Sequence, residues 1–237
     1  MTKGKKGTDK TMKITWLGQA GLMIETGDEI ILVDPYLSDS VEKIEPHNYR
    51  RVPVDERFLK VRPTVILLTH DHLDHTDPET LVHYLGADTR VTVLAPETAW
   101  SHVLERFGGI GNNYVKVMRH TEWTERSVHF RAVMADHSDP TAVGYLIGAE
   151  GKTLYVTGDT LYNPDIFSDL PEKIDAVFLP VNGKGNNMNM TDGARFCERI
   201  GATAVPYHCG LFDSMDLHDF PYPDKVVPEW YREIPLF

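Results

Sequence analysis

The run His70-Asp71-His72-Leu73-Asp74-His75 directly follows the apolar stretch Val65-Ile66-Leu67-Leu68-Thr69. The apolar stretch predicts a buried strand, and the run after it brings three histidines and two aspartates together. Imidazole and carboxylate groups are the ligands that hold divalent transition metals in proteins. Because α/β proteins usually place their chemistry at the carboxyl ends of strands, the run predicts a metal site at a sheet edge.

Three further predicted strands end in residues that can bind a metal. These residues are His137, Asp159 and His208, and each comes after an apolar or β-branched stretch. Seen singly, each would be an ordinary histidine or a turn aspartate. Four such strand ends in one chain are hard to attribute to chance, so we expect them to meet near one edge of the sheets.

The order of the predicted elements indicates the fold class. Strands come first, and strands and helices then alternate twice. The predicted strands cover residues 13–25, 29–33, 64–69, 90–95, 115–119, 128–134, 142–147, 153–157, 176–181 and 203–207, and the predicted helices cover residues 77–85, 96–107 and 190–200. A long loop is predicted over residues 37–62. This order fits an α/β fold of two stacked sheets with helices outside, a four-layer αββα sandwich.

Composition narrows the class of protein. The chain has 237 residues, with 41% hydrophobic and 25% charged, which predicts one globular domain over residues 13–237 and a disordered tail over residues 1–12. The net charge of −11 argues against nucleic-acid binding, which needs clustered Lys and Arg. No apolar run predicts a membrane span. The two cysteines, Cys197 and Cys209, predict reduced thiols in a cytoplasmic protein.

The pattern H-x-H-x-D-H at residues 70–75, together with His137, Asp159 in Gly-Asp-Thr and His208, resembles that of the metallo-β-lactamase superfamily. The opening Trp-Leu-Gly-Gln-Ala-Gly at residues 16–21 also resembles that superfamily. The resemblance covers most of the chain and implies the αββα sandwich. Within the superfamily, residues 187–192, followed by a helix and Pro-Tyr-His at 206–208, are similar to the L-ascorbate-6-phosphate lactonase branch.

The resemblance implies two adjacent metal positions. It assigns His70, His72 and His137 to one metal, Asp74, His75 and His208 to the other, and Asp159 to a bridge between them. Elementary geometry agrees, because residues two apart on an extended segment point to the same side and can bind one ion. Mixed His and carboxylate ligation suits one or two ions of Zn²⁺ or Mn²⁺, and also Fe²⁺.

Five other residues are candidates for supporting or substrate-binding roles. Asp34 is expected to orient a ligand histidine or simply to end its strand, with equal weight on each. Gln19 is expected beside the ligands or in the substrate pocket. Asn182, Asn187 and Tyr207 are expected to bind substrate, although loop chemistry in a Gly- and Asn-rich turn explains the two asparagines slightly better.

The function that this pattern predicts is metal-dependent hydrolysis. The metals would lower the pKa of bound water and supply a metal-bound hydroxide, which attacks a lactone or related ester of a small molecule, such as a phosphorylated sugar acid. Asp74 or Asp159 would act as the catalytic carboxylate that orients the hydroxide and passes a proton to the leaving oxygen. Two alternatives stay open: a phosphodiesterase or phospholipase of the same superfamily, and a non-catalytic metal-binding protein. The expected partner is a small-molecule substrate, and a homo-oligomer is left open.

Overall fold

A computed structural model describes residues 12–86, 88–109 and 111–237, so nearly all of the predicted tail lies outside the described residues. The strands are β1 (Lys13–Gly18), β2 (Gly21–Thr26), β3 (Glu29–Val33), β4 (Val65–Leu67), β5 (Thr92–Pro96), β6 (Asn113–Val117), β7 (Glu122–Glu125), β8 (Val128–Met134), β9 (Val143–Ala149), β10 (Lys152–Val156), β11 (Ala176–Pro180) and β12 (Thr203–Tyr207). The helices are α1 (Ser40–Ile44), α2 (Pro78–Leu81), α3 (Glu97–Phe107) and α4 (Met190–Ile200), with short 3₁₀ turns at Phe58–Lys60, Pro164–Asp169 and Leu217–Asp219.

The strands form two six-stranded sheets. The first has the order β1-β2-β3-β4-β5-β6 and the second β12-β11-β10-β9-β8-β7. In the first sheet β1 to β3 are antiparallel and β3 to β6 are parallel. In the second, β7 to β10 are antiparallel and β10 to β12 are parallel. Each sheet therefore contains a parallel half whose carboxyl ends share one edge.

Alternation along β4 shows how the layers are built. Val65 and Leu67 pack into the core cluster that both sheets contribute to, whereas Ile66 and Leu68 pack into a second cluster with α2 and α3. Because successive side chains of a strand point to opposite faces, one strand serves both cores. Phe196 of α4 packs with the second sheet. The layers are thus helix, sheet, sheet and helix, and the predicted four-layer αββα sandwich is confirmed.

The helix boundaries follow local chemistry. The Asp77 carboxylate accepts hydrogen bonds from the backbone N–H groups of Glu79 and Thr80, so α2 begins where Asp and Pro predict. Asn189 caps α4 in the same way, and Gly201, with φ of 72°, ends it. None of the described helices is long and apolar enough to cross a membrane.

Five details differ from the prediction. Residues 13–25 form two strands because a tight turn lies at residues 19–20, and α2 ends at Leu81 rather than at residue 85. The segment 37–62 contains the short helix α1. Strand β7 was missed because its alternating polar residues lie on a sheet edge. The sequence groups residues 115–119 with the later β-rich stretch, but β6 pairs in parallel with β5 in the first sheet.

Candidate metal centre

The predicted ligands lie at the carboxyl ends of strands from both sheets. The His70–His75 run leaves β4 of the first sheet, whereas His137, Asp159 and His208 follow β8, β10 and β12 of the second. The sheets are tied together beside this edge. The Val143 N–H donates to the Thr69 carbonyl over 2.9 Å, and the His208 N–H donates to the Gln19 carbonyl over 3.2 Å. The structure therefore brings together all seven residues predicted as metal ligands.

Three histidines form the first group. The ring centroid of His70 lies 4.6 Å from that of His72 and 4.3 Å from that of His137, and the latter two are 4.7 Å apart. One ring nitrogen from each lies within 4.8 Å of the others. His70 is buried and His72 is exposed, so the group opens toward solvent on one side.

Asp74, His75 and His208 form the second group. The Nε2 atoms of His75 and His208 are 3.0 Å apart. The Oδ2 atom of Asp74 lies 3.8 Å from the first of these nitrogens and 3.5 Å from the second. Three donor atoms converging at such distances form a cluster that can hold a metal ion.

Asp159 lies between the two groups. Its Oδ1 atom is 3.3 Å from His75 Nε2 and 3.1 Å from His208 Nε2. Asp159, His70 and His75 also form a metal-competent set of their own, with ligand atoms within 4.8 Å of one another. The carboxylate thus contacts two histidines of the second group and shares a donor set with His70 of the first, so it lies where the two groups meet.

The supporting residues hold these ligands in place. The Asp34 Oδ2 atom lies 2.9 Å from His75 Nδ1, and the same carboxylate accepts hydrogen bonds from the N–H and hydroxyl of Thr69. The Gln19 amide donates to Asp74 Oδ2 over 2.9 Å. Both residues predicted to act beside the ligands therefore contact one directly.

The two predicted asparagines also contact ligand side chains. The Asn187 amide donates to Asp159 Oδ2 over 2.8 Å, and Asn182 Nδ2 lies 3.0 Å from His208 Nδ1. Both line the cavity in front of the cluster. Tyr207 differs, because its side chain is fully buried, lies edge-to-face against the Phe178 ring and is not part of the cavity lining.

The electrostatics divide the histidines into two kinds. Burial, reinforced by the neighbouring His75, holds the pKa of His70 well below its usual value, and burial lowers the pKa of His137. Burial opposes charge on His75 as well, but the carboxylates of Asp159, Asp74 and Asp34 outweigh it and raise the pKa of His75 well above normal. The second group is therefore rich in negative charge that a cation would balance.

Unpartnered buried atoms show that the residues fit a metal. Among the described residues, His70 Nε2, His137 Nε2 and Asp159 Oδ1 are buried without a hydrogen-bond partner. Buried polar atoms are nearly always paired, and leaving one unpaired costs about 1–3 kcal/mol. Nitrogen and carboxylate oxygen are suitable donors for Zn²⁺, Mn²⁺ or Fe²⁺, so an ion would satisfy all three atoms.

Strained backbone positions aim the side chains. Gln19, Asp34 and His208 have φ of 48°, 41° and 63°, in the left-handed region that residues with a Cβ rarely adopt. Gly158, with φ of 62°, precedes Asp159, and a Cβ there would lie 2.8 Å from the Cβ of Thr69. Each of these positions follows the end of a strand and turns the chain sharply at the cluster.

Sequence reasoning missed Asp139, which joins two ligand-bearing loops. Its carboxylate accepts hydrogen bonds from the Asp71 N–H over 3.2 Å and from the Thr98 hydroxyl over 2.6 Å. Its own N–H donates to His137 Nδ1 over 3.1 Å. The only local signal was its position two residues after His137.

The cavity beside the cluster has a volume of about 450 Å³. Cavities of roughly 300–1,000 Å³ are typical of sites for small molecules. Its lining includes Asp74, Asp159 and His208 of the cluster. The exposed His72 also lines the cavity, so a small substrate in it would lie against residues of both predicted ligand groups.

A two-sheet sandwich with outer helices and a His/Asp cluster at the shared strand edge defines the class of metallo-β-lactamase-like proteins. The sequence pattern of the β-lactamase superfamily domain matches residues 29–227, and the chain belongs to that superfamily. It belongs more narrowly to the UPF0173 metal-dependent hydrolases. The member from Dinoroseobacter shibae is 32% identical and aligns over 95% of this chain and 100% of its own length.

Other relatives agree with this assignment. The UPF0173 metal-dependent hydrolase of Ligilactobacillus salivarius is 31% identical over 92% of this chain and 94% of its own length. Among solved structures, the metallo-β-lactamase fold protein YhfI of Bacillus subtilis has a TM-score of 0.70 at 17% identity, covering 94% of this chain and 98% of its own. At that identity the likeness shows the fold alone.

Proposed function

We propose that this protein hydrolyses a lactone or related ester of a small molecule, using one or two divalent metal ions held by the His/Asp cluster. The observation that carries the proposal is the convergence of two three-residue donor groups beside Asp159, in which the buried atoms His70 Nε2, His137 Nε2 and Asp159 Oδ1 have no hydrogen-bond partner among the described residues. Membership of a metal-dependent hydrolase family supports it.

His70, His72 and His137 would hold one ion, and Asp74, His75 and His208 the other, with Asp159 between them. When bound, divalent metals lower the pKa of coordinated water toward neutrality and polarise a carbonyl group. The buried floor formed by His70 and His75 excludes bulk solvent, which strengthens electrostatic interactions with a substrate.

Asp74 and Asp159 are the proposed catalytic carboxylates. Each has one oxygen tied by an amide, Asp74 by Gln19 and Asp159 by Asn187. This fixes the carboxylates so that a remaining lone pair can accept a proton from the attacking water and return it to the leaving oxygen. Burial opposes ionisation of Asp159, but the adjacent His208 and His75 hold its pKa well below normal, so it is a carboxylate at neutral pH.

The experiment compares the purified protein with the His70→Ala and Asp159→Ala variants after metal removal and reconstitution with Zn²⁺, Mn²⁺ or Fe²⁺. Sugar lactones, simple γ-lactones and bis-aryl phosphodiesters form the substrate panel. We expect lactone hydrolysis that chelation abolishes, metal restores, and either substitution lowers by at least about 100-fold. His129→Ala is the matched control, since His129 is exposed and bonded only to Thr124 among the contacts described.

The panel also separates the alternatives. Turnover of phosphodiesters without lactones would favour a phosphodiesterase, and metal binding without any turnover would favour a non-catalytic metal protein. Hydrolysis that survives both chelation and the two substitutions would show that the cluster is not the catalytic centre.

A further inference from the structure

One side of the cavity is apolar, although the cluster beside it is polar. Val41, Ile44, Leu73 and Phe212 all line the cavity. Val41, Leu73 and Phe212 belong to one packed hydrophobic cluster with Tyr36 and Leu211. We call these four cavity-lining residues the apolar wall.

Ile44 is the most unusual member of the apolar wall. Its side chain is 73% exposed, the highest value among the described large hydrophobic residues. It lies three residues after Val41 on α1, so both side chains share a face of the helix. A single exposed apolar residue is common on protein surfaces. Ile44, however, extends a packed apolar wall into a cavity, so it provides apolar surface on which a ligand can pack.

The charges of the cavity argue against a phosphorylated ligand. Among the described lining residues, four are carboxylates, Glu45, Asp74, Asp159 and Asp213, and Lys184 is the only Lys or Arg. The Lys184 Nζ atom lies 3.6 Å from Asp213 Oδ2, so its charge is already compensated. Phosphate recognition usually relies on several converging cations or N–H donors, and the lining offers no such set beyond the metal-binding cluster.

We infer that the substrate carries an uncharged apolar substituent, an alkyl or aryl group that packs on the apolar wall while its lactone or ester carbonyl lies at the His/Asp cluster. This inference rests on the proposed function, since the cluster is taken to act on the carbonyl. It replaces the phosphorylated sugar acid with a smaller, hydrophobic class of ester. Ile44 and Phe212 are the specificity-determining residues.

The binding test uses γ-lactams, which mimic γ-lactones but resist hydrolysis, with substituents from methyl to hexyl. Calorimetry on the metal-loaded protein should show dissociation constants that tighten by up to about four-fold per added methylene. Ile44→Ser should weaken hexyl-lactam binding by about ten-fold and leave methyl-lactam binding unchanged. Val82→Ser is the matched control, because Val82 also ends a short helix and is 55% exposed but lies outside the cavity lining.

The parallel hydrolysis test uses γ-lactones with the same substituents and a phosphorylated sugar lactone. We expect KM to fall with chain length and the phosphorylated compound to be the poorest substrate. Lactam binding that ignores chain length, or an Ile44→Ser variant indistinguishable from Val82→Ser, overturns the inference. Lactam binding that tightens with the length of the alkyl substituent, without any lactone hydrolysis, would support the apolar wall as a binding surface but refute the proposed lactone hydrolysis. The failure of the inference and the failure of the proposed function therefore give different results.

Discussion

The Oδ2 atom of Asp34 lies 2.9 Å from Nδ1 of His75, and both side chains are completely buried. Asp34 ends its strand in a left-handed conformation, and its second oxygen is held by the Thr69 N–H. The pair fixes the ring so that Nε2 faces His208 and Asp159. A carboxylate that accepts from the far nitrogen of a metal-ligating histidine sets both its tautomer and its orientation.

Asp34→Asn should weaken metal binding by about 10–100-fold, because the amide cannot accept from Nδ1–H as a carboxylate does. Calorimetric titration of the metal-free protein measures the change. Asp216→Asn is the matched control, since Asp216 Oδ1 also lies 2.8 Å from a histidine, His218, but both side chains are exposed and neither lines the cavity beside the cluster. Equal affinities in the two variants would contradict the orienting role of Asp34.

The two donor groups should be separable by stoichiometry. We expect the protein to bind two equivalents of Zn²⁺, His72→Ala to retain one tight site, and Asp159→Asn to weaken both, because Asp159 contacts His75 and His208 of the second group and shares a donor set with His70 of the first. Elemental analysis after gel filtration gives the count. A His72→Ala protein that still holds two ions as tightly as before would show that His72 is not a ligand.

Asp139→Asn tests whether metal binding depends on the link between the His137 loop and Asp71. Loss of the charge weakens the hydrogen bonds from Asp71, Thr98 and Thr141, so metal affinity should fall by about ten-fold. Asp175→Asn controls for general destabilisation, since Asp175 also accepts a backbone N–H, from Thr153, but far from the cluster. A loss of affinity in both variants would indicate a global effect.

Asp169 predicts a pH-dependent stability. Burial opposes its ionisation, but hydrogen bonds from Arg119 and His120 and from the Met134 N–H hold its pKa far below normal. Because the pKa of Asp169 is lower in the folded than in the unfolded state, its ionisation stabilises the fold at pH values above the unfolded-state pKa of about 4. This stabilisation is lost as the pH falls toward the folded-state pKa. Asp169→Asn should therefore lower the free energy of unfolding by about 2 kcal/mol at pH 7.

The difference between the parent and Asp169→Asn should narrow as pH falls below about 4, because the parent then loses the contribution that the variant lacks. Urea unfolding at a series of pH values measures it. A difference that is constant with pH would mean that the carboxylate charge contributes nothing. Asp216→Asn, at an exposed position, should show little difference at any pH.

The metal-competent residues at the strand ends could be predicted because the sequence pattern that marks them is local. A buried strand followed by His, Asp and His can be recognised within ten residues, and the parallel halves of both sheets place such ends together. The ligand roles of these residues stay predictions, although the structure brings them within reach of one another.

What sequence reasoning missed depends on distant contacts. Asp139 matters through the backbone of Asp71, 68 residues away. The apolar wall brings Ile44 of α1 beside Phe212, which is far away in sequence. The polar segment 37–62 has no helical periodicity that would predict the five-residue helix α1. The sheet to which β6 belongs is decided by its parallel pairing with β5, which local pattern cannot specify.

The positions of the predicted metal ligands along the chain also determine the order in which the two donor groups become complete during synthesis. The first donor is at residue 70, but His208 follows the last strand, and its N–H donates to the carbonyl of Gln19, which directly follows the first strand. During synthesis from the amino terminus, the set of His70, His72 and His137 is complete once the chain reaches residue 137, whereas the set of Asp74, His75 and His208 exists only after almost the whole sandwich has been made. Uptake of an ion by the second group would therefore be a late event of maturation, and it would tie the loop after β4 to the end of β12.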